Sequence, residues 1–298
     1  PLPSDKMKLA ARSEQHLGTV VEIKLPASHT SLFSQCFLEF ARIEKKFSRF
    51  LPSSELSRAN SNLGVWQEAS EELLFLVRSA EDFRIKTNGA FDITIKQRLE
   101  ELGYGPKHKA SQNIIQKMRS LLLPPIKIDN GSKRILLNKE IDLGGLGKGY
   151  AIDKVAYLLE SKGVSHYYIN AGGDIYAKSK KGEPNWSILL EHPDDPERAI
   201  GKISINSMAI AASAANRRKW GRFHHLINPK TLLPAKNMKA CFVLAKSAME
   251  ADAYATALFC AGFQEAIHLC NKLGLTALLI SNDNKMYQTP GFSAEFFG

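Results

Sequence analysis

The sequence predicts an α+β fold, with mixed sheets and helices packed against them. Two observations carry this. From Lys127 onward, strand-length apolar runs alternate with helical periodicity. Some of these runs are joined by hairpin-like turns and others by longer crossovers, whereas a plain doubly wound sheet would use crossovers alone.

In chain order, Thr19–Leu25 reads as a strand, with Val20, Ile23 and Leu25 apolar. Helical periodicity then runs from Leu32 to Phe47, placing Phe33, Cys36, Phe37, Phe40, Ile43 and Phe47 on one stripe. A second helix fits Glu71–Lys86 and is ended by Thr87-Asn88-Gly89. Gly103, Gly105 and Pro106 punctuate a basic loop. Strands then fit Arg134–Leu137, Tyr167–Asn170, Trp186–Glu191, Lys202–Ile205, Ala209–Ala212, Cys241–Ala245 and Leu275–Ile280. Helices fit Lys148–Ser161 and Ala248–Leu273, the latter interrupted near Gly262.

The 298 residues are 44% hydrophobic and 23% charged, a globular balance far from that of a disordered chain or a coiled coil. The length suits a single domain over residues 1–298, with two intertwined subdomains as the other arrangement. No apolar run approaches the roughly 20 residues that span a bilayer. The chain opens at Pro1 without an initiator Met, and the expectation is that a signal peptide or lipoprotein leader has been removed upstream. Cys36, Cys241, Cys260 and Cys270 show no CxxC spacing and read as small core residues.

The net charge of +10 calls for an anionic partner. Between Ser213 and Met249 stand Arg217, Arg218, Lys219, Arg222, Lys230, Lys236, Lys239 and Lys246, with no acidic residue among them. No helix-turn-helix, zinc finger or RNA-binding signature accompanies this run, so the expected partner is a small phosphorylated ligand and not nucleic acid.

Ser247-x-x-Glu250 is a capping box that fixes a helix start. Four residues apart on that helix, Asp252 and Thr256 share one face, which is otherwise apolar. A carboxylate there needs a compensating charge, and with the hydroxyl it makes a partial oxygen shell suited to magnesium. The same spacing also fits an Asp bonded to a neighbouring loop and a Thr bonded back to its own helix. Asp142-Leu-Gly-Gly-Leu-Gly-Lys-Gly149 ends a strand in glycines and opens a helix near Lys148, an arrangement that favours an anion. Tight packing alone is the competing explanation. Asn170-Ala-Gly-Gly-Asp174 reads as a hairpin turn leading into the strand Ile175–Ala177. His224-His225 offers a general base, with one of the two facing a site if the pair lies on a strand.

Taken in order, these stretches resemble the FAD:protein FMN transferases, the ApbE flavin-transferase family. The resemblance rests on Leu17-Gly-Thr19, Phe47-Ser-Arg-Phe50 with Ser54-Glu55, Gly89-Ala-Phe-Asp92, and Asp142 through Gly149. It continues through Asn170-Ala-Gly-Gly173, His225-Leu-Ile-Asn-Pro229 and Ser247 through Asp252 with Thr256. It implies an ApbE-like fold with a ligand cleft between two subdomains. It also implies transfer of FMN from FAD to a Ser or Thr hydroxyl of a target protein, with release of AMP. The implied magnesium ligands are Asp252, Thr256 and the Gly145 carbonyl. FAD would be held at Leu17, Phe50, Ala90, Phe91, Asp92, Asp142, Lys148 and Leu226. His225 and Asp252 would serve the acceptor hydroxyl. Implied partners are target subunits of membrane redox complexes, and the implied setting is the periplasm, with a lipoprotein anchor on the inner membrane.

Several positions depart from the family pattern. Leu17 stands for Met, Phe50 for Tyr, and Asn228 and Leu232 for the Asp and Gly of the His-x-x-Asp-Pro-x-Thr-Gly run. Ala212-Ser213-Ala214 replaces Thr-Ser-Gly. These changes gather on the acceptor side and keep two alternatives open: an FAD pyrophosphatase giving FMN and AMP, and a non-catalytic FAD carrier.

Overall fold

A computed structural model of the chain describes residues 7–102, 122–215, 219–220, 223–224 and 226–297. The basic loop at Gly103 and Gly105 and the residue His225 lie outside the described residues.

The central sheet has eight strands among the described residues, and their order across the sheet follows the chain. They are Leu9–His16, Thr19–Pro26, Tyr167–Ala171, Asp174–Lys178, Met208–Ala214, Ala240–Ala245, Thr276–Ile280 and Met286–Gln288. The expected combination of helices and sheets is present. The sheets themselves correct the expectation of mixed strand directions, since every described pairing is antiparallel.

Gly262 supplies the reason at one crossover. With φ of 80° it ends the helix Ala248–Ala261 and starts Phe263–Leu273. Two helical passes instead of one return the chain in the opposite sense, so Thr276–Ile280 pairs antiparallel with Ala240–Ala245.

The central strands are apolar on both faces because both faces are covered. On one side Cys241, Val243, Ala277 and Leu279 join the core formed with the helices Phe33–Phe47, Glu71–Lys86, Gly147–Ser161 and Ala248–Ala261. On the other, Phe242, Leu244, Leu278 and Ile280 pack with Ile188, Leu190, Ile203 and Ile205. Those last residues belong to a small sheet of Trp186–His192, Asp195–Ile205 and Ala294–Phe296. This is the period-two alternation of a strand with two dry faces.

The four cysteines are free and buried, as core residues should be. Burial pushes the Cys36, Cys260 and Cys270 thiols up to about 12, which leaves them unreactive near neutral pH. Among the described residues, no helix is long and apolar enough to cross a membrane.

Candidate active site

The glycine-rich turn and the capped helix meet. Ser247 Oγ accepts the Glu250 N–H at 3.2 Å, which sets where the helix Ala248–Ala261 begins. Asp153, nearly two turns into the helix Gly147–Ser161, accepts the N–H groups of Ala248 (2.7 Å) and Met249 (2.9 Å). Burial pushes the Asp153 carboxyl up to about 6, against the pull of those donors. The two helices touch at Gly149, where an added Cβ would stand 2.3 Å from the Ala248 carbonyl oxygen. Only glycine permits that approach.

The contact carries Lys148 to Asp252. Lys148 Nζ lies 3.1 Å from Asp252 Oδ2, which also accepts the Gly149 N–H at 3.3 Å. The same ammonium is in direct contact with Asp174 Oδ2. Asp174 and Asp252 are both buried. Burial alone would favour loss of the Lys148 proton, but the two carboxylates outweigh it and hold the group above its usual range. The cluster has one more carboxylate than ammonium. Burial, reinforced by the charge of Asp252, pushes Asp174 up to about 6 against the pull of Lys148.

Gly145 faces Thr256. A Cβ added at Gly145 would stand 3.2 Å from Thr256 Cγ2, 3.4 Å from its Oγ1 and 3.1 Å from Phe91 Cε2. Asp252 and Thr256 lie four residues apart on the helix Ala248–Ala261 and bring a carboxylate and a hydroxyl to the glycine-rich turn. No group of three or more His, Cys, Asp or Glu that could hold a metal occurs among the described residues.

A cavity of about 680 Å³ opens over this cluster. It is lined by Leu17, Phe50, Phe91, Asp92, Asp142, Gly145, Lys148, Leu226, Asp252 and Thr256, so ten of the positions singled out in the sequence share one chamber. Ala90 is buried in the core and does not line it. Asp142 is held in place by the Gly144 N–H at 2.9 Å and by Arg49 Nε at 3.4 Å. The Arg49 guanidinium in turn covers the Phe50 ring at 4.7 Å. Asp92 caps the turn behind it, accepting the Thr94 N–H at 2.7 Å.

Leu17 and Gly18 form the tight turn between the first two strands, with φ of 53° and 69°. The left-handed conformation disfavours leucine, and Asn or Gly would hold it at less cost. Asn228, where the family pattern has Asp, organises its own turn. Its side-chain oxygen accepts the N–H groups of Lys230 (2.9 Å) and Thr231 (3.2 Å).

Asp174 was not among the expected site residues. The hairpin reading of its segment holds, since Asn170 Oδ1 accepts the Gly173 N–H at 2.8 Å and the strand Asp174–Lys178 follows. That turn also delivers Asp174 into the cavity wall. The available signal was a carboxylate beginning an otherwise apolar strand. Arg49 and Asp153 were missed as well, because their partners lie far away in sequence.

The ApbE family model matches residues 17–279. The FAD:protein FMN transferase of Haemophilus influenzae is 30% identical to the chain, over 96% of this chain and 90% of that protein. Its counterpart in Escherichia coli K12 is 29% identical, over 83% and 75%. Among solved structures, the ApbE protein of Thermotoga maritima superposes with a TM-score of 0.85 at 25% identity, covering 96% of this chain and 98% of the other. The flavin transferase ApbE of Vibrio cholerae gives 0.81 at 25% identity, with the same coverage. With its fold and most of its length accounted for in this way, the chain belongs to the ApbE family of FAD:protein FMN transferases and is an enzyme of that transferase class.

Proposed function

We propose that the chain moves FMN from FAD onto a Ser or Thr hydroxyl of an acceptor protein, with magnesium at Asp252 and AMP as the leaving group. The observation that carries this reading is the Lys148–Asp174–Asp252 cluster in the wall of a chamber large enough for a dinucleotide. A pyrophosphate must shed negative charge to be attacked, and one half-buried ammonium beside hard oxygen donors suits that need.

The residues fit the metal. Asp252, Thr256 and the Gly145 carbonyl would hold it through oxygen alone, as magnesium prefers. Bound there, the ion supplies charge neutralisation to the phosphate oxygens. Lys148 would hold a second phosphate oxygen without moving, because Asp174 already fixes its ammonium. Leu17, Phe50 and Leu226 offer apolar surface to the flavin or adenine ring.

In the transfer, the acceptor oxygen bonds to the FMN phosphorus and the P–O bond to AMP breaks. The acceptor proton passes to a base, for which His225 is the candidate, and AMP leaves as a phosphate monoester. The acceptors we propose are subunits of membrane redox complexes, met in the periplasm by a lipid-anchored form of the enzyme.

The test is incubation with FAD, Mg²⁺ and acceptor peptides. Flavin fixed covalently to peptide, with stoichiometric AMP, supports the transfer. Free FMN and AMP without labelled peptide assigns a pyrophosphatase, and intact bound FAD assigns a carrier. If Asp252→Ala left magnesium-dependent turnover unchanged, the metal assignment would be wrong.

A further inference from the structure

Leu232 is held in the left-handed region at φ of 56°, yet its side chain is 47% exposed. A β-carbon there is strained, and an exposed leucine gains little from burial to offset it. Its neighbour Leu233 is 46% exposed, so two apolar side chains stand together in solvent.

The surrounding turn is firmly built. Leu232 N–H bonds to the Asn228 carbonyl at 2.8 Å, and the Asn228 side chain accepts two further N–H groups. Ile227 pairs with Pro234 and Asn228 with Leu233, closing a short hairpin. Arg98 Nε donates to the Leu232 carbonyl at 2.7 Å and pins the tip to the helix Lys96–Glu101.

Both attachments lead to the cavity. Leu226 and Ile227, at the base of the hairpin, line it, and so do Ile95 and Leu99, beside Arg98. The tip therefore stands near the chamber wall. Residues 226–237 include Lys230 and Lys236, both exposed, and no carboxylate. The nearby Glu101 is engaged by Arg98 Nη1 at 3.0 Å.

We propose that Leu232 and Leu233 are the docking tip for the acceptor protein, receiving an apolar side chain close to the reacting hydroxyl on a segment that is otherwise acidic. The inference rests on the transferase reading above and assigns the partner's chemistry. The apolar pair selects the side chain, and Lys230 and Lys236 select the sign of charge around it.

The test uses short peptides with one central Thr. They vary in the placement of a single Leu and in whether the other positions are Asp- or Lys-rich, and covalent flavin is read by fluorescence. Wild type should favour acidic peptides with Leu at a fixed offset from the Thr. Leu232→Gly and Leu232→Asn both accept the left-handed backbone, so the turn survives. Each should lose the Leu preference by about tenfold, the scale of one buried leucine contact, in KM and not in kcat. FAD affinity should stay at the wild-type value. An unchanged peptide profile in both variants overturns the docking tip, and so does loss of FAD affinity, because the leucine would then serve the flavin. FMN and AMP released with no peptide labelled by any of the three proteins overturns the transferase reading itself.

Discussion

Lys148 Nζ sits 3.1 Å from Asp252 Oδ2 while also touching Asp174, so one ammonium serves two carboxylates drawn from separate parts of the chain. Removing one partner of such a buried group costs roughly 3–5 kcal/mol, because it strands the remaining charge. Lys148→Met is expected to lower the melting temperature by several degrees and FAD turnover by about a hundredfold or more. Adding Asp174→Asn removes one of the two stranded carboxylates and should recover part of the stability but none of the turnover. Thermal unfolding and AMP release measured on the single and double variants check this. Additive stability losses would refute the shared cluster.

Asp153 makes a prediction about pH. Its carboxyl is raised from 3.8 to about 6 by burial. Between those values the folded state holds more protons than the unfolded one, so stability falls as pH rises through about 6. Asp153→Asn removes this dependence. The difference in melting temperature, variant minus wild type, should therefore move in the variant's favour from pH 5 to pH 8. A difference that stays flat across that range would contradict the shift.

Leu17 is predicted to trade stability for binding surface. Its left-handed backbone costs leucine about 1–2 kcal/mol, and Leu17→Asn should recover about half of that as a higher melting temperature. The same change removes an apolar side chain from the cavity and should weaken FAD binding roughly fivefold or more. Calorimetry on wild type and variant measures both, and a more stable variant that binds FAD equally well would disprove the trade.

Gly149 and Gly147 form a matched pair. A Cβ at Gly149 meets backbone of the facing helix at 2.3–2.6 Å, whereas one at Gly147 meets nothing within 4 Å. Gly149→Ala is expected to lose about 2–3 kcal/mol of stability as the helices separate, together with most activity. Gly147→Ala should stay close to wild type in denaturant unfolding.

Elements whose signals are local could be read from the sequence. The helix Glu71–Lys86 begins after Ser70, whose hydroxyl accepts the Leu73 N–H, and ends in left-handed Asn88 and Gly89. The central strands show as apolar runs because both their faces are dry. The edge strand Leu9–His16 was missed because most of its residues are polar and most are exposed. The helix at Asp252 was placed correctly, but what Asp252 touches was not readable. Lys148 lies 104 residues away, and nothing in the spacing of either segment encodes their meeting. Asp174 escaped for a different reason: the hairpin explanation of its glycines was correct and hid the carboxylate that follows them.

The close crossing at Gly149 also bears on how the protein folds. Leu17, Gly149 and Ala248 come from distant parts of the chain, so the chamber forms only after two long loops have closed. Such non-local contacts arise late on the folding route. A ligand that needs the finished chamber binds only the native state, so FAD should slow unfolding and leave the refolding rate nearly unchanged. Protection by FAD would then act kinetically, lengthening the life of the folded enzyme without hastening its formation.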